Sequence, residues 1–153
     1  MVDNAPKDLL GRKKVVGLRN ADAAPGINPK DKIGSAKVDF TLCPTSAKVA
    51  WALAQMDGGG KYGPYNWRVE AIQLRTYIAA AGRHLDSFLD GEEVASDSGI
   101  KHLGHVMACC AIMIDAMKNG SYVDDRPING NASEVIAEAN AFIKEQKPEG
   151  WGR

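Results

Sequence analysis

The three histidines of the chain, His84, His102 and His105, fall in one stretch that also contains Arg83, Glu92, Glu93 and Asp97. His102 and His105 are three residues apart, so on a helix both address one point from adjacent turns. If the flanking helices pair antiparallel, His84 at the end of one comes close to the start of the next. Imidazole and carboxylate at this density suit a divalent metal, and the hard oxygens favour Mg or Mn. Such an ion could bridge phosphate oxygens and orient an attacking water. The competing reading makes Glu92, Glu93 and Asp97 a solvated loop. Asp97 or Ser98 then caps the following helix, and the histidines are hydrogen-bonded core residues.

A second group is the loop Lys61-Tyr62-Gly63-Pro64-Tyr65-Asn66-Trp67-Arg68. Two cations, three aromatic rings and an amide could stack a base and grip phosphates. Trp67 and Arg68 also begin a predicted helix, whose N-terminus favours an anion. Alternatively Gly63-Pro64 sets a rigid turn, Trp67 plugs the end of a bundle and Lys61 faces water. A third group, Asp124-Asp125-Arg126-Pro127, reads either as paired metal ligands or as a turn held by a local salt bridge. Asp86, Asp90 and Asp115 read as helix-surface or helix-end residues.

Helices must position these groups. Val49, Ala50, Leu53 and Met56 recur at helical spacing after a cap at Thr45 or Ser46, and Asp57-Gly58-Gly59-Gly60 ends that segment. A longer helix is predicted from about Arg68 to Asp90, with Leu74, Tyr77, Ala81, His84 and Phe88 on one face and Gly91 as the stop signal. Another runs from Ser98 or Gly99 to Asn119-Gly120, with His102, His105, Cys109 and Ile112 sharing a face. The last, about Ser133 to Glu145, carries Val135, Ile136, Ala139, Phe142 and Ile143 as a buried stripe. Lys37 to Cys43 alternates as a short extended segment would, and residues 1–35 are rich in breakers. The expected fold is all-α, a compact bundle of about four helices. A long irregular N-terminal arm (1–35) would precede a single helical domain (36–153).

Composition narrows the function classes. The chain has 153 residues, 44% hydrophobic and 25% charged, and its 19 basic residues balance 19 acidic ones. A zero net charge argues against a general nucleic-acid binder, whose affinity comes largely from neutralising phosphates. Cys43, Cys109 and Cys110 lack a CxxC spacing, and the adjacent pair is poorly placed to bridge itself. They read as reduced thiols buried as small hydrophobes. The first twenty residues mix charges with short apolar pairs, unlike a signal peptide, and no apolar run approaches the ~18 residues of a membrane span. A soluble, cytoplasmic protein is expected. The signatures GxxxxGK[ST], HExxH and GxSxG are absent, as is the ExxE…ExxD pattern of the all-α nucleotide pyrophosphohydrolases.

Several motifs nevertheless occur in order: Asn28-Pro29-Lys30-Asp31 with Ile33-Gly34, Lys61-Tyr62-Gly63, Tyr65-Asn66-Trp67-Arg68 and Arg83-His84-Leu85. Gly91-Glu92, Asp97-Ser98-Gly99, His102-Leu103-Gly104-His105 and Asp124-Asp125-Arg126-Pro127 follow. Over roughly residues 28–127 the chain resembles the phage and prophage family described as the dATP/dGTP diphosphohydrolase N-terminal domain. The resemblance implies release of pyrophosphate from purine deoxynucleoside triphosphates in phage nucleotide metabolism, and a divalent metal, Mg or Mn. With the carboxylate pattern missing, that metal would need a shell containing histidine. The expected metal ligands are His84, Glu92, Asp97, His102 and His105, with His84, Glu92 and Arg83 catalytic. Lys61, Tyr62, Asn66, Trp67 and Arg68 would bind the purine deoxynucleotide. A homo-oligomer is expected because one small bundle offers little depth for a nucleotide. The alternative is a non-catalytic protein that binds or sequesters a nucleotide.

Overall fold

A computed structural model describes residues 29–34 and 37–146 and shows a mostly helical chain. Two units divide after Leu42. The first contains helix α1 (Pro29–Gly34), where irregular backbone was expected, and a 3-10 turn at Phe40–Leu42 in place of the extended segment. The turn has a local cause. Asp39 accepts hydrogen bonds from the Thr41 amide at 2.8 Å and the Thr41 hydroxyl at 2.6 Å, and such short polar side chains compete with extended backbone. The rest of the expected arm, residues 1–28 and 35, lies outside the described residues.

The second unit holds α2 (Thr45–Tyr62), α3 (Asn66–Val69), β1 (Ile72–Gln73) and α4 (Leu74–Leu89). After these come α5 (His102–Asn119), β2 (Tyr122–Val123) and α6 (Ala132–Gln146). Helix α5 is central and packs against both α2 and α4. Leu74 meets Ala116 in the core at one end, and His84 meets His102 at the other, so α4 and α5 run antiparallel. The core proper is small: Ile72, Leu74 and Ala116, with Trp67, Tyr77, Ile112, Met113 and Tyr122 packed on it.

Three helix boundaries differ from expectation. The segment predicted as one helix from Arg68 to Asp90 is interrupted, because Glu70 turns extended and β1 pairs in parallel with β2, Ile72 opposite Tyr122. The Ile72 amide donates to the Ser121 carbonyl at 3.1 Å, a long-range bond that local periodicity does not signal. Helix α2 continues through Gly58-Gly59-Gly60, although each glycine costs about 1 kcal/mol relative to alanine. Lys61 reaches back one turn to Asp57 at 2.7 Å, and Gly63, with positive φ, closes the helix by donating to the Gly59 carbonyl at 3.0 Å. Helix α5 starts at His102 and not at Ser98 or Gly99, because residues 94–101 close into a turn. The Ala95 amide donates to Ile100, the His102 amide to Glu93, and Gly99 supplies a positive φ of 68°.

The contact between α2 and α5 also differs. Of the expected stripe Val49, Ala50, Leu53 and Met56, only Ala50 meets α5; Val49, Leu53 and Met56 are exposed, and Ala54 is the buried residue of α2. Across from the two alanines stand Gly104 and Ala108. A Cβ built on Gly104 would lie 2.5 Å from the Ala50 carbonyl oxygen, so the two backbones approach too closely for any side chain. The predicted buried stripe of α6 is likewise exposed in this chain, Val135, Ile136, Phe142 and Ile143 included, because amphipathic spacing specifies an apolar face and not its partner. The cysteines are free, but Cys43 and Cys110 are exposed and Cys109 is half-buried, so packing as buried hydrophobes fails for two of the three. Among the described residues no helix is long and apolar enough to cross a membrane.

Gly104→Ala tests the helix contact. Helix propensity favours alanine by about 1 kcal/mol, whereas overpacking against main chain costs about 1–3 kcal/mol and no flexible side chain is there to yield. The clash wins, so Gly104→Ala lowers the melting temperature. Gly82→Ala in α4, where a Cβ meets nothing within 4 Å, raises it by a few degrees. Calorimetry of the two variants beside the parent protein checks the pair.

Candidate functional site

Helices α2, α4 and α5 enclose a cleft of about 590 Å³. Its lining includes Asp57, Lys61 and Tyr62 from α2, Asn66 and Trp67 from α3, and Tyr77, Arg83 and His84 from α4. Asp97 adds a loop carboxylate, and α5 contributes His105 and Cys109. Two groups that were separate in sequence therefore meet: the loop after Lys61 and the histidine stretch. His102 and Glu92 lie outside this lining, and Arg68 points elsewhere.

The imidazoles form one contiguous cluster. His84 Nδ1 and His102 Nδ1 are 2.9 Å apart, so one nitrogen donates and the other accepts. The rings of His84 and His105 lie nearly parallel, with centroids 4.5 Å apart. His105 Nε2 is 3.0 Å from the Ser98 hydroxyl, which also accepts the Ile100 amide. Burial, with the neighbouring imidazoles adding to it for His84, lowers the pKa of His84, and burial also lowers that of His105. The shift favours the neutral, proton-accepting form of both rings. His102, only 4% exposed, is the buried polar side chain among the described residues, and Glu92 Oε2 stands 3.3 Å from its Nε2.

Lys61 does not wave in solvent. Asp57 at 2.7 Å and Asp97 at 3.4 Å hold it, and the Asp57 hydrogen bond raises its pKa. Asp97 is lowered in turn by the Lys61 hydrogen bond. Asp57 was missed as a site residue, although its i, i+4 spacing from Lys61 was readable. Tyr77 and Cys109 were noted only for packing; burial raises both pKa values, which keeps them neutral on the cleft wall.

Trp67 and Arg68 are held by a residue read only as helix surface. Asp115 accepts from the Trp67 indole at 2.6 Å and from Arg68 Nε and Nη2, both at 2.7 Å. These bonds, Arg68 first, hold the Asp115 carboxyl down at about 2. Tyr65, at φ 56°, places its ring 5.3 Å from Trp67 and beneath the Arg68 guanidinium. This clamp borders a second cleft of about 910 Å³ lined by Trp51, Met56, Tyr65, Ile114 and Lys118 among others, with no histidine. Trp67 is a wall common to both clefts.

The Asp124-Asp125-Arg126 run is a structural turn. Asp124 takes both Nε and Nη2 of Arg126, and Asp125 accepts the Arg75 amide in the first turn of α4 at 2.8 Å. A His-rich shell for a divalent ion is not assembled either. His84 and His102 turn Nδ1 toward each other, His105 is engaged by Ser98, and Asp97 is engaged by Lys61. Among the described residues no three His, Cys, Asp or Glu side chains are grouped to hold a metal ion.

Residues 27–126 match the family model described as "dATP/dGTP diphosphohydrolase, N-terminal". No curated protein and no solved structure matches the chain.

Asp115→Asn tests the clamp through its pH dependence. A carboxyl at about 2 in the folded chain and 3.8 unfolded contributes stability that is present above pH 4 and lost as pH falls through about 2. The variant melts below the parent protein at pH 6. The gap between them narrows steadily as melts are repeated toward pH 2.

Proposed function

The chain belongs to the dATP/dGTP diphosphohydrolase N-terminal family, and on that footing we propose that it hydrolyses a purine deoxynucleoside triphosphate to the monophosphate and pyrophosphate, a reaction of phage nucleotide metabolism. One observation carries the reading. Cations, imidazoles and aromatic rings line a single cleft of about 590 Å³, within the usual size of small-molecule sites.

In this reading Tyr62 or Trp67 lies against the purine, and Asn66 contacts ribose or phosphate. Arg83 neutralises charge that develops on the departing pyrophosphate. Lys61, already between Asp57 and Asp97, offers an ammonium whose charge is partly spent, so an arriving phosphate competes with two carboxylates for it. Arg68, bound to Asp115, acts by fixing Trp67 and does not grip substrate. His84 and His105 supply the proton acceptor for water. A Mg or Mn ion would supply neutralisation of triphosphate charge in this reading, and titrating the ion at fixed dGTP measures that requirement.

The test is pyrophosphate release from dGTP and dATP by the purified chain with Mg or Mn. Arg83→Gln is expected to lower kcat/KM by about 10²-fold, the scale of losing one charge-stabilising donor. Tight dGTP binding without turnover, unchanged by His102→Ala, marks a sequestering protein instead. A melting temperature that millimolar nucleotide leaves unmoved removes both readings, because a ligand selective for the folded state must stabilise it.

The reading includes a second copy of the chain. Val135, Ile136, Phe142 and Ile143 of α6 are exposed, and a homo-oligomer would cover them. Sedimentation velocity is expected to give a species larger than one chain, and Ile136→Glu with Phe142→Glu to return it to the monomer.

A further inference from the structure

The contact between His84 and His102 has a direction, and Glu92 sets it. Two imidazoles that share one proton between Nδ1 atoms 2.9 Å apart allow two arrangements. In one, His102 Nδ1–H donates to His84. Its own Nε2 is then a bare lone pair, shielded from solvent and 3.3 Å from the Glu92 carboxylate. Two electron-rich atoms would then face each other across 3.3 Å, an unfavourable contact at a nitrogen shielded from water. In the other, His102 carries its proton on Nε2, toward the carboxylate, and its Nδ1 accepts from His84 Nδ1–H. Of the two, this arrangement sets an N–H beside Glu92, whose Oε2 at 3.3 Å attracts it as an electrostatic contact without forming a hydrogen bond.

We propose that Glu92, His102 and His84 form a proton-orienting chain that leaves His84 Nε2 as a lone pair facing the cleft, where it takes the proton of the attacking water. His84 lines the cleft, and among the described residues no hydrogen bond to its Nε2 occupies that nitrogen. His102 and Glu92 do not line the cleft, so they are positioning residues. The role assigned to His84 rests on the diphosphohydrolase reading; the tautomers do not.

The balance is simple. Water oxygen bonds to the α-phosphorus, and the bond from that phosphorus to the bridging oxygen breaks. Pyrophosphate leaves with the electron pair, and the water proton goes to His84 Nε2. The resulting imidazolium keeps its Nδ1–H bond to His102, and the Glu92 carboxylate at the far end of the chain stabilises the new positive charge. A free imidazole favours the opposite tautomer to the one assigned to His84, so the assignment is distinctive. It also accounts for the burial of His102, whose ring transmits the orientation without touching substrate.

Long-range 15N–1H correlation spectra of the imidazoles, taken on the full chain without nucleotide at pH 7.5, read the tautomers directly. Three histidines make assignment by single His→Gln variants practical. The expected result is His84 protonated on Nδ1 and His102 on Nε2. His84 protonated on Nε2 overturns the proposal. Glu92→Gln provides a second readout: the residue is well exposed, so the fold survives, while a side-chain amide no longer enforces an acceptor. The His84 pattern then becomes mixed, and kcat falls by about 10²-fold with KM nearly constant. An unchanged tautomer pattern in Glu92→Gln refutes the role of the carboxylate. Correct tautomers in a protein that turns over neither dGTP nor dATP sink the diphosphohydrolase reading and leave the chain standing. Turnover with the reversed tautomer does the opposite.

Discussion

The close approach of α2 and α5 at Gly104 governs most of what the second unit does. Because the Ala50 carbonyl sits where a Cβ would be, the two backbones meet through alanine and glycine and bury little side-chain volume. The larger apolar groups of α2 are left exposed, and clefts flank the contact. One opening receives the histidines and Lys61, and the other receives Trp51, Tyr65 and the Arg68 face of the clamp. A tighter core would have left neither. The cost is a unit whose only large, fully buried side chain among the described residues is Leu74.

Polar ties add to this small core, two of them on cleft walls. Asp115 gathers Trp67 and Arg68, Asp125 holds the first turn of α4, and Asp57 with Asp97 brackets Lys61. Each joins segments far apart in sequence or fixes a side chain on a cleft wall. Each of these carboxylates is thus already engaged by a cation, an indole or an amide, and among the described residues no three donors are grouped.

Much of this was readable in the residues. Helical phase placed Leu74, Tyr77, Ala81 and His84 on the inner face of α4, although Phe88, assigned to the same face, is exposed near the helix end; the connection from α4 to α5 brings His84 to His102. The ordered motifs pointed to the family. What local pattern could not carry was partnership. The pairing of Ile72 with Tyr122 divides one predicted helix into α3, β1 and α4, and nothing near residue 72 announces it. Asp115 looked like any helix-surface acid because Trp67 and Arg68 reach it only after folding. The apolar stripe of α6 showed a face seeking cover without naming what covers it.

The unbroken passage of α2 through Gly58, Gly59 and Gly60 has a consequence for how such a protein could diverge. Gly58 borders the histidine cleft and Gly59 the aromatic one, and a Cβ at either would meet nothing within 4 Å. Adjacent codons therefore address separate chambers. Selection could narrow one entrance by a single methyl or hydroxymethyl group while the helix contact and the imidazole cluster stay as they are. Ligand girth is in this sense an inherited variable that drift can explore without risking the fold.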